Sequence, residues 1–166
     1  MASTEKLLDG FKRFQTQYFG DDSRLYASMK DGQPAKTLMI ACCDSRVDPA
    51  ILTDCDPGDL FIVRNVANLV PPCAVNNLEV ENIIIMGHAS CGGIKALWET
   101  SDEDSAQSQF IHPWVSIAKP AKTWVQETLS EAMPEVQIKA CEQRAILESL
   151  SNLMTFSCIR KRVEQG

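Results

Sequence analysis

The sequence has 166 residues, of which 45% are hydrophobic and 23% are charged, so it has the length of one domain with a single sizeable core. Its net charge of −6 argues against binding to nucleic acid and to anionic membrane surfaces. We expect no membrane helix and no secretory signal, because no apolar stretch approaches the ~20 residues of a membrane span and the N-terminus lacks an apolar segment.

The first half of the chain is predicted to contain two helices followed by three strands. Apolar residues recur at helical spacing over residues 5–19, and a second short helix is predicted over 23–30. We treat residues 1–30 as an N-terminal helical arm of a single domain that spans 1–166. Continuous apolar runs, typical of strands buried on both faces, occupy residues 37–41, 60–63 and 82–86.

The second half of the chain is predicted to be helical. Its helical patterns cover residues 91–99, 114–130, 135–151 and 155–164. Strands separated by helices indicate parallel βαβ units. The predicted fold class is therefore α/β, with a parallel-core β-sheet flanked by helices.

Two clusters of metal-ligand residues directly follow predicted strands. Cys42 ends the first apolar run, and His88 and Cys91 follow the third. Because the carboxyl ends of parallel strands meet at one edge of a sheet, we expect the clusters to converge if these strands are neighbours. Two thiolates and one imidazole leave the fourth position of a tetrahedral zinc ion open, which is typical of a catalytic site. Cys91 also precedes a predicted helix start, where backbone N–H groups favour a thiolate.

A carboxylate and a guanidinium follow the first of these ligands. Two thiolates reduce the Lewis acidity of zinc relative to an all-histidine site, in which bound water has a pKa of roughly 7. A site that must make hydroxide therefore gains from a nearby carboxylate, and Asp44 lies two residues after Cys42, on the same side of an extended chain. Arg46 could pair with Asp44 and keep it ionised. The pattern predicts attack of metal hydroxide on a small electrophile; a plain surface ion pair is the alternative for Asp44 and Arg46.

Long stretches around these residues resemble the β-class carbonic anhydrases, in particular their plant-like branch. The similar stretches are 42–47, 57–72 and 81–95, with a weaker match at 152–156. The resemblance implies Zn²⁺ on Cys42, His88 and Cys91, an Asp44–Arg46 dyad, and reversible hydration of CO₂ to bicarbonate and a proton. It also implies a homodimer or a higher homo-oligomer, with active sites at the subunit interface. The substrate-binding positions that it implies are Gln33, Phe61, Val66 and Gly92.

The sequence departs from this family at two places. The crossover segment between Pro72 and Asn76 is shorter than usual, and a parallel crossover normally needs a dozen or more residues. The chain also stops at Gly166, before the family's usual final strand. These departures leave open a zinc-stabilised homologue without catalytic activity, and a hydrolase of CS₂ or carbonyl sulfide on the same fold is a further alternative.

Other conspicuous residues are given structural roles. We expect Arg64 and Asn65 to hold the loop after the second strand, and His112 to lie at a helix entry.

Asp44 could occupy the fourth zinc position at low pH, in which case activity would rise steeply with pH. The seven cysteines are scattered and odd in number, which indicates reduced thiols in the cytoplasm. Small core residues are expected at Cys43, Cys55, Cys73, Cys141 and Cys158.

Overall fold

The computed structural model describes residues 3–20, 25–71, 80–99 and 110–166. The strands in these ranges are β1 (Thr37–Cys42), β2 (Leu60–Asn65) and β3 (Asn82–Met86). The helices are α1 (Thr4–Phe19), α2 (Leu25–Ser28), α3 (Pro49–Thr53), α4 (Gly92–Glu99), α5 (Ile111–Val115), α6 (Lys119–Thr128), α7 (Pro134–Leu153) and α8 (Ser157–Gln165).

The three strands form a parallel sheet in the order β2-β1-β3. β1 is central and its residues from Leu38 to Cys42 are buried, as the apolar run predicts. The same prediction is wrong for the outer strands, because Ile62, Val63 and Ile84 are each more than 40% exposed. A strand that pairs on one side only cannot be covered as fully as the central one. The register nevertheless confirms the arrangement that the metal site requires, since β1 and β3 are direct neighbours.

Two hydrophobic clusters form the core of the described part of the chain. The sheet cluster contains Leu38, Ile40, Val70, Leu153 and Phe156, and links the sheet to the end of α7. The helical cluster contains Cys42, Ala67, Leu69, Cys91, Ile94, Leu97, Val115, Ala118, Ala121, Val125, Cys141 and Ala145. It joins the carboxyl end of β1 to α4, α5, α6 and α7. Together the clusters confirm an α/β fold in which helices flank a parallel sheet.

Two helices differ from the sequence-based prediction. The helix predicted over 114–130 is broken, because a 3₁₀ turn at Ser116–Ala118 separates α5 from α6. Pro120 explains the break: proline lacks the N–H that a continuous helix needs, but it fits the first turn of a new one. The short helix α3 is not predicted at all. Its signals are Asp48, whose side chain accepts hydrogen bonds from Ala50 N and Ile51 N, and Pro49 in the first turn.

The N-terminal helices pack mainly on each other. α1 contacts α2 and contains no buried residue, while Leu7 and Phe11 are more than half exposed. Phe14 and Tyr26 hold the two helices together through an edge-on ring contact with centroids 5.7 Å apart. The described residues of the predicted arm therefore form a helical pair with an uncovered apolar face.

The shortened crossover expected over residues 73–78 lies outside the described ranges, and so does Cys73. Of the other cysteines expected in the core, Cys141 is buried, but Cys43 and Cys158 are exposed, so the expectation is wrong for these two. Among the residues that the structure describes, no helix is long and apolar enough to cross a membrane.

Candidate metal centre

Three ligand side chains converge at the carboxyl edge of the sheet. Cys42 is the last residue of β1, and His88 and Cys91 lie in the loop between β3 and α4. The ligand atoms of these residues all lie within 4.8 Å of one another, and the two Sγ atoms are 4.0 Å apart. This convergence confirms the predicted meeting of the two clusters in space.

The chemistry of this donor set fits zinc. With Zn–S bonds of about 2.3 Å, two thiolates at a tetrahedral angle lie ~3.8 Å apart, close to the observed separation. His88 Nε2 is buried and has no hydrogen-bond partner, while Nδ1 lies 2.9 Å from the carbonyl oxygen of Ala89. A proton on Nδ1 can be donated to that carbonyl, which leaves Nε2 as a free electron-pair donor. A buried donor atom without a partner is the arrangement that a metal ion would satisfy.

The pKa values of the Cys42 and Cys91 thiols shift in opposite directions. Burial by itself raises the pKa of Cys42, but backbone N–H groups of Asp44 and Ala67 and the side chain of His88 outweigh it and lower the pKa. Burial raises the pKa of Cys91 to about 11, and backbone N–H groups at the start of α4 offset this only in part. The backbone N–H groups at the helix start do favour a Cys91 thiolate, as predicted, but burial outweighs them. The positive charge of a bound metal ion would favour the thiolate further.

Asp44 and Arg46 form a bidentate ion pair next to these ligands. Arg46 Nε donates to Asp44 Oδ1 at 2.9 Å, and Arg46 Nη2 donates to Oδ2 at 2.7 Å. These bonds, followed by one from the Arg46 backbone N–H, hold the pKa of Asp44 well below its usual range. Asp44 is not among the converging ligand atoms. Its carboxylate is thus ionised and held in one orientation by Arg46.

Arg46 also connects the two loops that carry the ligands. Its Nη2 atom donates to the carbonyl oxygen of Ser90 at 3.1 Å, across 44 residues of sequence. Ser90 has a left-handed backbone, with φ of 56°, and precedes Cys91. The guanidinium therefore fixes Asp44 and the turn before Cys91 at the same time, which distinguishes this pair from an isolated surface ion pair.

Asn65 has the structural role predicted for it, whereas Arg64 holds the loop after β1 and not, as predicted, the loop after β2. Arg64 Nε donates to the carbonyl oxygen of Cys42 at 2.9 Å, Nη2 donates to that of Asp44 at 2.6 Å, and Nη1 pairs with Asp48 at 2.8 Å. The Asn65 side chain closes the following turn through two bonds to the backbone of Leu69. Arg64 thus holds the backbone on both sides of the first ligand loop.

The four predicted substrate-binding residues do not lie together within one chain. Val66 packs on the helical cluster beside Cys42 and Cys91, and Gly92 begins α4 next to Cys91. Phe61 instead pairs with Leu38 and packs on the sheet cluster. Leu38 precedes Cys42 by four residues, which in a strand is about 13 Å. Gln33 is exposed and lies before β1, beyond the same far edge of the sheet.

Two contacts around the site have no signal in the sequence. Glu142 on α7 accepts a hydrogen bond from the backbone N–H of Cys91, with a distance of 2.9 Å between N and Oε1. Trp114 Nε1 donates to the carbonyl oxygen of Val66 at 2.8 Å. Both partners are 48 or more residues away in sequence, so only tertiary packing brings them to the site.

Comparison with known proteins agrees with this geometry. A family model described as carbonic anhydrase matches residues 37–166. The chain is 40% identical over 169 residues to beta carbonic anhydrase 5, chloroplastic, of Arabidopsis thaliana, covering 94% of this chain and 56% of that protein. It is 35% identical over 178 residues to beta carbonic anhydrase 3 of the same plant, covering 98% of this chain and 69% of that protein.

Solved structures give the same family. The beta-carbonic anhydrase CcaA superposes with a TM-score of 0.89 at 29% identity, over 99% of this chain and 86% of that one. A tetrameric beta-carbonic anhydrase of Sordaria macrospora has the same fold, with a TM-score of 0.81 at 22% identity, over 96% of this chain and 85% of the other. The chain therefore belongs to the carbonic anhydrase family and to its β class. It spans 56% and 69% of the lengths of the two Arabidopsis relatives.

Proposed function

We propose that the chain is a zinc-dependent carbonic anhydrase, which reversibly hydrates CO₂ to bicarbonate and a proton. The observation that carries the proposal is the convergence of Cys42, His88 and Cys91 within 4.8 Å, beside the Asp44–Arg46 pair. Within the described ranges three side chains converge as ligands, and three protein ligands with a fourth position left for water are typical of a catalytic zinc site, whereas structural sites have four protein ligands.

Zinc, when bound, lowers the pKa of water so that hydroxide is available near neutral pH. Cys42, His88 and Cys91 would hold the ion. Asp44 is ionised, because Arg46 keeps its pKa low, and it can therefore accept a hydrogen bond from the attacking hydroxyl group but cannot donate one. Arg46 donates a hydrogen bond to each of the two carboxylate oxygens of Asp44. The remaining lone pairs of these oxygens therefore limit the direction from which a further hydrogen bond can be accepted.

Stopped-flow CO₂ hydration tests the proposal. Cys42→Ser should abolish zinc-dependent turnover, while Cys43→Ser should leave it close to that of the parent protein. Cys43 is a matched control because it is adjacent in sequence but exposed and outside the ligand group. A zinc-loaded protein no faster than Cys42→Ser would favour the zinc-stabilised, non-catalytic homologue. Parallel assays on CS₂ and carbonyl sulfide decide whether either gas is the better substrate.

We further propose a homo-oligomer in which Gln33 and Phe61 serve the site of a second copy. Both residues belong to the far edge of the sheet from their own Cys42, and α1 has an uncovered apolar face. A second subunit that covers this face removes apolar surface from water, which stabilises the assembly by about 25 cal/mol for each Å² buried. The tetrameric assembly named for the Sordaria macrospora relative is compatible with this proposal.

Subunit mixing tests the shared site. Gln33→Ala and Cys42→Ser chains are co-refolded, and their CO₂ hydration is compared with that of each variant alone. If Gln33 acts on the partner's zinc, the mixture contains sites with an intact ligand set and an intact amide, so its activity exceeds that of both parents. If Gln33 acts within its own chain, the mixture gives only the weighted average of the two.

The cytoplasm is the location we propose from the cysteine pattern. The seven cysteines are odd in number and scattered, which is the pattern expected of reduced thiols. One Arabidopsis relative is named chloroplastic. Fractionation of the source cells, with detection of this chain in each fraction, distinguishes the two compartments.

A further inference from the structure

We propose that Glu142 is a positioning residue for the metal centre: its carboxylate anchors the backbone of Cys91 and so presets the separation of the two thiolates. This inference rests on the zinc site proposed above. It assigns a role outside the ligand set and outside the Asp44–Arg46 pair.

The contact that carries the proposal joins α7 to the ligand loop. Glu142 Oε1 lies 2.9 Å from the backbone nitrogen of Cys91 and is part-buried. This nitrogen precedes the first residue of α4 and follows the left-handed Ser90, so the bond acts where the chain reverses from loop to helix. A bond from an N–H to a carboxylate is shorter and stronger than one between neutral groups. Glu142 therefore fixes the backbone from which the Cys91 side chain extends.

Glu142 lies on a part of α7 that is anchored in the helical cluster. Its neighbour Cys141 and the next-turn residue Ala145 are both buried in the helical cluster. On the same side of α7, Ile146 lies against Gly87, where a Cβ atom would be 2.6 Å from Ile146 Cδ1. α7 thus contacts the loop at two points, at Gly87 on one side of His88 and at Cys91 on the other.

A small cavity lies between these two points. It has a volume of about 200 Å³ and is lined by Gly87, His88, Ala89, Lys139, Glu142, Gln143 and Ile146. Residues of both α7 and the ligand loop line this cavity, so the Glu142 side chain lies on the face of α7 that is turned toward the loop.

The experiment measures the rate at which zinc is released to excess chelator, with no CO₂ present. Glu142→Ala should release zinc about 10- to 100-fold faster than the parent, the usual effect of losing an outer partner of a metal ligand. Glu142→Gln keeps an acceptor oxygen at the same reach and should remain close to the parent. Glu142→Asp keeps the charge but is one methylene shorter, and should release zinc as fast as Glu142→Ala. Gln143→Ala, which lines the same cavity without bonding Cys91, is the control and should not change the rate.

Each outcome decides the inference. It is overturned if Glu142→Ala retains zinc like the parent, if Glu142→Gln loses it as Glu142→Ala does, or if Glu142→Asp behaves normally. If Glu142→Ala fails to fold, the Gln and Asp variants still give opposite predictions for positioning and for charge alone. A protein that shows this zinc pattern but does not hydrate CO₂ would overturn the proposed function and leave the role of Glu142 intact.

Discussion

Gly93 lies directly against Val66: a Cβ atom at position 93 would be 2.6 Å from Val66 Cγ1 and 2.9 Å from the Cβ of Ala67. This contact seats the first turn of α4, which follows the ligand Cys91, on the 3₁₀ turn after β2. The absence of a side chain at position 93 is therefore a requirement of the packing around the site.

Adjacent glycines give a matched test of this packing. Gly93→Ala should lower the free energy of unfolding by about 1–3 kcal/mol, the usual cost of overpacking a core, and should reduce CO₂ hydration by displacing Val66. Gly92→Ala should be neutral or slightly stabilising, because nothing lies within 4 Å of a Cβ there. Urea denaturation of both variants, each loaded with zinc, provides the comparison. Equal effects at the two positions would contradict the packing argument.

Asp44→Asn should reduce CO₂ hydration by about 100-fold or more, the range reported for loss of a positioned proton acceptor. Zinc content should not change, since Asp44 lies outside the ligand group. The control is Glu81→Gln, which breaks the Lys36–Glu81 pair of 2.9 Å at the opposite edge of the sheet. If Asp44→Asn is about as active as Glu81→Gln, the Asp44–Arg46 pair is only a surface ion pair without a catalytic role.

The low pKa of Asp44 sets a pH window for the same variant. The folded-state pKa lies below the unfolded value of 3.8, so the stabilising effect of the ionised carboxylate is complete above about pH 5 and is lost as the pH falls below 4. Between pH 6 and 9 the ratio of wild-type to Asp44→Asn activity should therefore be constant. A ratio that changes steeply in this range would indicate that Asp44 leaves Arg46 and moves to the metal, as considered from the sequence.

Removal of zinc should destabilise the fold, because a ligand that binds only the native state adds RT ln(1 + [L]/Kd) to its stability. The melting temperature of the parent protein should fall on addition of chelator and recover with excess zinc. In His88→Ala, which lacks the buried Nε2 donor, chelator and zinc should have little further effect. A parent melting temperature that is insensitive to chelator would exclude a tightly held ion.

Because the Cys141 thiol is buried, we expect the protein to lose stability at alkaline pH. Burial raises the pKa of this thiol from 9.0 to about 11, so it stays protonated in the native state while the unfolded chain ionises. The contribution of this buried thiol to the free energy of unfolding is therefore fully present below pH 9. It is lost as the pH rises toward 11, by at most about 1.4 kcal/mol per pH unit. Cys141→Ala should cost about 1 kcal/mol at pH 7 through lost packing and should show a shallower alkaline decline. Urea unfolding at pH 8, 9 and 10 measures both slopes, and parallel slopes would contradict the assignment.

Part of this protein could be predicted from local sequence alone. The apolar run before Cys42 and the one before His88 identify two strands, and a parallel sheet aligns their carboxyl ends, so the ligand set follows from the pattern. Asp44 and Arg46 pair as expected, but across a turn and not along an extended chain: the Arg46 N–H donates to Asp44 Oδ1, and the Val47 N–H donates to the Asp44 carbonyl oxygen. These inferences depend only on short-range geometry and on residue chemistry.

The tertiary structure decided what no local pattern encodes. Glu142 reaches Cys91 across 51 residues, because α7 packs on the helical cluster. The raised pKa of Cys91 results from burial that outweighs the helix start, and burial is a property of the assembled core. Phe61 lies far from the zinc ligands of its own chain because β2 pairs in register with β1, so that Leu38 and not Cys42 is its neighbour. Contacts between distant segments, and the exclusion of water that they produce, become definite only when the chain is folded.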